Sequence, residues 1–235
     1  MRRRLRSLVS QASWVCSDNK NSPSWPSSSP ASAASACPRP KRRQGHDHHH
    51  SPSDAHHLAD IRARLTYVLP REYVSGESLP YLGRRYRLKV TVQREVAAHA
   101  RLRGGYLEVA APQRDPALLR AVLETWFRGR ATEVLTQRLA AVAAPLRWVR
   151  QLPPTRLQVM KVQWGRCSPA GRITLNPWLV KAPRECIDYV LLHELCHLQH
   201  HNHSPKFYLA LDRHMPHWRA VKKRLDELVE QVLAV

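Results

Sequence analysis

The chain is poor in acid. Its 235 residues carry 18 Asp and Glu against 38 Lys and Arg, a formal net charge of +20 at pH 7. The excess is not confined to the N-terminal end, because residues 1–60 hold nine basic and four acidic side chains and the remainder holds 29 and 14. A basic folded region suits weak contact with nucleic acid, anionic surfaces or acidic proteins, although no nucleic-acid motif is present and solubility alone also accounts for it. Cysteine is scarce and unpaired in pattern: Cys16, Cys37, Cys167, Cys186 and Cys196 make an odd count without a C-x-x-C pair. That excludes a disulfide framework and a cysteine-built structural zinc site, and it points to a reducing, cytoplasmic setting. No apolar run approaches the roughly 18 residues of a membrane span, so no membrane partner is expected. The N-terminus, Met1-Arg2-Arg3-Arg4-Leu5-Arg6, is basic but lacks the apolar stretch of a secretory signal; its Arg-rich, acid-poor character is shared with organelle transit peptides.

What is present is 43% hydrophobic residues, enough for one sizeable domain or two small ones. Residues 1–58 contain Ser-, Pro- and Ala-rich stretches and a His-rich tract from His46 to His57. Such composition cannot bury enough apolar surface to offset its ordering entropy, so a disordered tail is expected there. The folded part is expected over 59–235. Alternation marks strands at Arg85–Val92 and Tyr106–Val109, with a turn at Arg103-Gly104-Gly105, and together these suggest a β-meander. Asp115-Pro116 opens a long helix to about Val142, with Leu119, Val122, Leu123, Trp126, Phe127, Ala131, Val134 and Leu135 at core spacing. A hairpin is expected from Arg156–Val162 and Arg172–Asn176. A helix starts near Pro183, another at Ser204-Pro205, and a last amphipathic one runs from about His217 to Val232.

The chain's chemistry sits in His193-Glu194-Leu195-Cys196-His197. Positions i and i+4 share a helix face, so His193 and His197 can aim two nitrogens at one zinc ion. Glu194 is rotated by roughly 100° and reaches a water beside the metal instead, the place of a general base. His201 keeps to the same face but lies about 12 Å from His193 along a straight helix, so it cannot be the third ligand. The chain must leave the helix and return. Asn202, which tolerates the left-handed conformation, is the expected stop, and His203 is the first residue able to come back. His200, His214 and His217 are the other candidates, ranked behind it. The small side chain of Cys196 reads as helix core rather than ligand.

Several ordered motifs accompany this one. They are Tyr81-Leu82-Gly83-Arg84-Arg85-Tyr86, Trp126-Phe127-Arg128, Trp164-Gly165-Arg166-Cys167-Ser168, Arg172-Ile173-Thr174-Leu175-Asn176 and Asn202-His203-Ser204. With them the chain resembles the YgjP-like zinc metallopeptidases, relatives of SprT-like and weak-suppressor-of-smt3 proteases, from about Leu79 to Leu225. The resemblance implies an α+β fold: a small zincin-type domain with an antiparallel or mixed sheet, an active-site helix and C-terminal helices. It implies zinc held by His193, His197 and His203, with Glu194 as the catalytic base and a peptide or protein as substrate. Two positions depart from the family pattern, Arg166 for Ser and Tyr208 for Trp. Tyr208, His214, His217 and Arg166 are the candidates for stabilising an oxyanion. The alternative reading is a non-catalytic, zinc-stabilised module that binds nucleic acid or a protein through its basic surface.

Overall fold

The computed structural model describes residues 71–161 and 163–229, all within the unit Leu58–Val235. The expected tail over 1–58, the start of the folded region at 59–65, Val162 and Val232 lie outside the described residues. The fold is α+β, as expected, with two small sheets and four α-helices among the described residues.

The first sheet contains β1 (Ser78–Tyr81), β2 (Arg84–Val92), β3 (His99–Arg103) and β4 (Tyr106–Ala111), in the order β1-β2-β4-β3. It is not the expected meander, because β2 and β4 run parallel. The Gly104-Gly105 turn does make a hairpin, with φ of 56° and 82°, but its first arm is β3 rather than β2. The sequence His-Ala-Arg-Leu-Arg of β3 has no β-branched residue, so its strand character was not evident. β4 instead lies in the sheet interior beside β2, where its Leu107, Val109 and Ala111 are buried.

Asp115 caps the long helix α1 (Pro116–Ala143): its carboxylate accepts the N–H groups of Ala117 and Leu118. Leu119, Leu123, Phe127, Ala131, Leu135 and Leu139 form its buried stripe, and this stripe packs on the first sheet and on the helix that follows. The second sheet joins β5 (Thr155–Leu157), β7 (Ile173–Leu175) and β6 (Gly165–Cys167), with β7 between the others. The expected hairpin of residues 156–162 with 172–176 is therefore replaced by two pairings: β5 is parallel to β7, and β6 is its antiparallel partner. Beyond Leu157 the chain leaves the strand because the fully buried Asn176 claims it. Asn176 Nδ2 donates to the carbonyls of Met160 and Gln163, and Oδ1 accepts from the Trp178 N–H.

A 3-10 turn, Pro177–Lys181, leads into α2 (Arg184–His197), which starts just after Pro183 as expected. This helix is buried continuously from Tyr189 to His197, so it is the centre of the fold rather than a surface element. Its half-buried Asp188 is held by Arg138 of α1 through two hydrogen bonds of 2.8 and 2.7 Å. Helices α3 (Pro205–His214) and α4 (Trp218–Glu227) follow the expected breaks at Ser204-Pro205 and Met215-Pro216. No helix among the described residues is long and apolar enough to cross a membrane.

The β1–β2 hairpin is pinned to the start of α2. Leu82 and Gly83 both have positive φ, 48° and 76°, as a two-residue type I′ turn requires. Their N–H groups donate to the Val180 and Lys181 carbonyls. A Cβ on Gly83 would lie 2.9 Å from the Pro183 backbone, whereas one on Gly104, also at positive φ, would meet nothing within 4 Å. Gly83→Ala therefore combines backbone strain of about 1–3 kcal/mol with a clash, and Gly104→Ala suffers the strain alone. In urea denaturation Gly83→Ala is expected to lose clearly more stability than Gly104→Ala; equal losses would contradict this packing.

Candidate active site

Helical geometry brings the first two candidate side chains together. The Nε2 atoms of His193 and His197, one turn apart on α2, are 3.2 Å from each other. The third arrives by a reversal of the chain. α2 stops at His197, and Leu198 keeps right-handed dihedrals. The expected left-handed stop at Asn202 does not occur: Tyr73 and Leu82 are the non-glycine residues of positive φ among those described. Instead the last turn tightens, with Leu198 and Gln199 N–H groups bonding three residues back to Leu195 and Cys196. The chain then reaches Ser204-Pro205, where α3 begins. His203 comes back with its Nε2 3.1 Å from that of His193. Candidate donor atoms of all three histidines lie within 4.8 Å of one another. The rings of His200, His201, His214 and His217 are not part of this cluster. His200 contributes its carbonyl instead, 3.1 Å from His197 Nδ1. A proton on that Nδ1 leaves the Nε2 lone pair facing its neighbours.

Three imidazoles this close fit a metal ion. Four-coordinate zinc with bonds of about 2.0–2.1 Å separates its nitrogen ligands by roughly 3.3–3.4 Å, close to the observed 3.1 and 3.2 Å. The rings are also suited by charge. Burial, with His197 and His203 close by, holds His193 well below the ordinary imidazole range, and burial pushes His197 down as well. Both are thereby kept neutral, the form that binds metals. The fully buried Phe207 packs against all three rings, with centroids 4.7–5.0 Å away. The Trp148 indole N–H donates to the Leu195 carbonyl and braces the end of α2 from the other side. Cys196 is buried and its thiol is pushed up to about 12, so it stays protonated and is no competing ligand.

Glu194 is 2% exposed. Burial pushes its carboxyl up to about 8, against the effect of the Cys167 backbone N–H, which bonds to the carboxylate. Its Oε2 is buried without a hydrogen bond to the protein, the kind of atom that takes part in chemistry or holds water. Gly165 of β6 makes the room: a Cβ there would lie 2.7 Å from Glu194 Oε1. That requirement, and the buried anchor Asn176 that ties down the Trp164 segment through its own N–H, were missed in sequence. The hints were the Trp164–Ser168 and Arg172–Asn176 motifs themselves.

The remaining candidates separate. Arg166 lies between Gly165 and Cys167 on β6, and strand alternation turns its side chain away from Glu194, toward Gln158 at 3.4 Å. His214 packs on Trp148. Tyr208 is 37% exposed and stacks between His203 and Trp218. It is the oxyanion candidate whose ring stacks on a histidine of the cluster.

The family model described as "YgjP-like, metallopeptidase domain" matches residues 50–228. Among solved structures, the zymogen of the Pyrococcus abyssi metallopeptidase abylysin is 23% identical, with a TM-score of 0.34 over 40% of this chain and 90% of its own. The zymogen of Methanocaldococcus jannaschii jannalysin is 18% identical, with a TM-score of 0.33 over 41% and 94%. No curated protein matches the chain.

The buried carboxyl has a pH signature. In metal-free protein the folded state holds the Glu194 proton with a pKa of about 8, against 4.5 for the free group. Stability is therefore lost as pH rises from 4.5 toward 8, where the unfolded chain has already released the proton. With a chelator present, the stability of Glu194→Gln relative to wild type is expected to grow across that window. Urea midpoints showing a pH-independent difference would contradict the burial.

Proposed function

The chain belongs to the YgjP-like metallopeptidase family, and from that premise we propose that it is a zinc-dependent peptidase in which Glu194 is the general base. His193, His197 and His203 hold the zinc. When bound, the metal supplies Lewis acidity and a water acidic enough to be deprotonated near neutral pH. The rest of the chemistry falls to the protein. Glu194 takes a proton from the attacking water and returns it to the leaving amine. Burial raises the carboxyl's proton affinity above the ordinary carboxylate range, which favours its taking the proton. The Cys167 N–H holds the carboxylate in place, while Oε2 makes no hydrogen bond to the protein.

The substrate is a peptide or protein. Support comes from β6, an edge strand of its sheet whose Gly165 touches Glu194. An extended peptide that adds to this edge through main-chain hydrogen bonds is laid beside the carboxylate. Tyr208, over His203, is the group we assign to the developing oxyanion. Cys167, Cys186 and Cys196, the cysteines among the described residues, form no disulfide, in keeping with a reducing, cytoplasmic setting.

The observation that carries this reading is the buried Glu194 beside three clustered imidazoles. A module that only binds a partner has no use for a carboxyl whose burial opposes its ionised form and for which Gly165 must stay bare. Glu194→Gln is expected to lower hydrolysis of casein or a fluorogenic peptide by about 10²–10⁴-fold, with zinc content unchanged. His203→Ala is expected to lose zinc by more than the ~10–100-fold that outer partners of a ligand cost. Equal hydrolysis by wild type and Glu194→Gln at equal zinc content would end the catalytic reading.

A further inference from the structure

The first sheet has a second face. Leu79, Tyr81, Leu88, Val90, Leu107 and Val109 point into the core, so alternation turns their neighbours outward. The pairing lines those neighbours up in rows across three strands. Arg87 of β2 stands opposite Tyr106 of β4, which stands opposite Arg103 of β3. In the next row, Lys89, Glu108 and Arg101 are aligned in the same way. All are exposed except Glu108, which is half-buried.

The two rows differ in chemistry. Glu108 accepts from Arg101 at 2.9 Å and lies 3.7 Å from Lys89, so it fixes both cations and neutralises one charge. Arg101 also holds the Glu108 carboxyl below its usual range. The Tyr106 row contains no acid: an aromatic ring, 44% exposed, has Arg87 and Arg103 as its partners on the two neighbouring strands, whose backbones lie about 4.8 Å away. Arg85 adds a further charge on the same face. Four cations and one carboxylate in two rows make the patch strongly positive, and it centres on one flat ring.

We propose that this face binds single-stranded nucleic acid, with a base stacked on Tyr106 and the adjoining phosphates on Arg87 and Arg103. Base stacking on an aromatic platform, with cations following the backbone, is the general physics of single-strand binding. A duplex keeps its bases stacked inside and has no free face for Tyr106. An anionic membrane or an acidic peptide pairs with the cations and gains little from a solitary ring on a flat polar sheet. The face lies apart from the His193 cluster and does not depend on the peptidase reading.

The test uses the full chain and a fluorescein-labelled oligothymidylate of about 20 nucleotides, longer than one such platform needs, read by anisotropy across a salt series. Wild type is expected to bind at low salt. Tyr106→Ala is expected to weaken binding by about fivefold or more while leaving heparin binding unchanged, and Tyr106→Phe is expected to bind like wild type. The double variant Arg87→Ala/Arg103→Ala is expected to reduce the slope of log K against log salt by about 1.4, since each phosphate contact on a single strand contributes about 0.7. No binding at low salt overturns the proposal. So does an unchanged affinity of Tyr106→Ala, or equal competition by duplex DNA, heparin or phosphatidylserine vesicles, each of which marks the face as a general anion surface.

Discussion

A straight α-helix can aim two imidazoles at one point but not three. The rise of about 1.5 Å per residue carries every later side chain on that face out of reach within two turns. The third must come from chain that has stopped being helical and turned back. Much of the domain serves that return. The last turn of α2 tightens through Leu198 and Gln199, and the His200 carbonyl is spent on His197 Nδ1. α3 restarts at Pro205, and its Phe207 forms an apolar floor under all three rings. The return thus fixes the position of His203 and the tautomer of His197 together.

The second demand is burial. His193, Glu194 and His197 are all nearly inaccessible, and taking such groups out of water is costly unless they stay neutral or find partners. The imidazoles stay neutral because burial lowers their proton affinity, and the carboxyl is driven the opposite way. The helix that carries them is held by contacts made elsewhere: the Arg138–Asp188 pair, the Trp148–Leu195 hydrogen bond and the apolar stripe of α1. Such stabilisation at a distance is how a fold tolerates unfavourable polar burial at a site. Gly165 shows how close the tolerance is, since one methyl group would occupy the space of the Glu194 carboxyl.

The parts of this arrangement set by local spacing were legible in the sequence. The i, i+4 histidines, the exclusion of His201, the Asp115 cap and the Ser204-Pro205 restart each follow from one element's own geometry, and the structure brings His203 to the other two. What was not legible depended on partners distant in sequence. Alternation marks a strand without naming its neighbour, so β2 and β4 looked like a meander when they run parallel. The short β3 was hidden by its alanine and arginine content. Residues 156–162 alternate as a strand would, yet the carbonyls of Met160, within that stretch, and of Gln163, just after it, are taken by Asn176. The stop at Asn202 failed because a tightened right-handed turn ends the helix as well as a left-handed residue does.

The proposed function requires three imidazole nitrogens to share one zinc ion beside Glu194. Zinc-edge X-ray absorption on the purified protein reads this directly. Three imidazole nitrogens at about 2.0–2.1 Å and one further light atom, without sulfur, are expected. A scatterer at about 2.3 Å, the distance of a cysteine thiolate, or a fit requiring only two imidazoles, would contradict it.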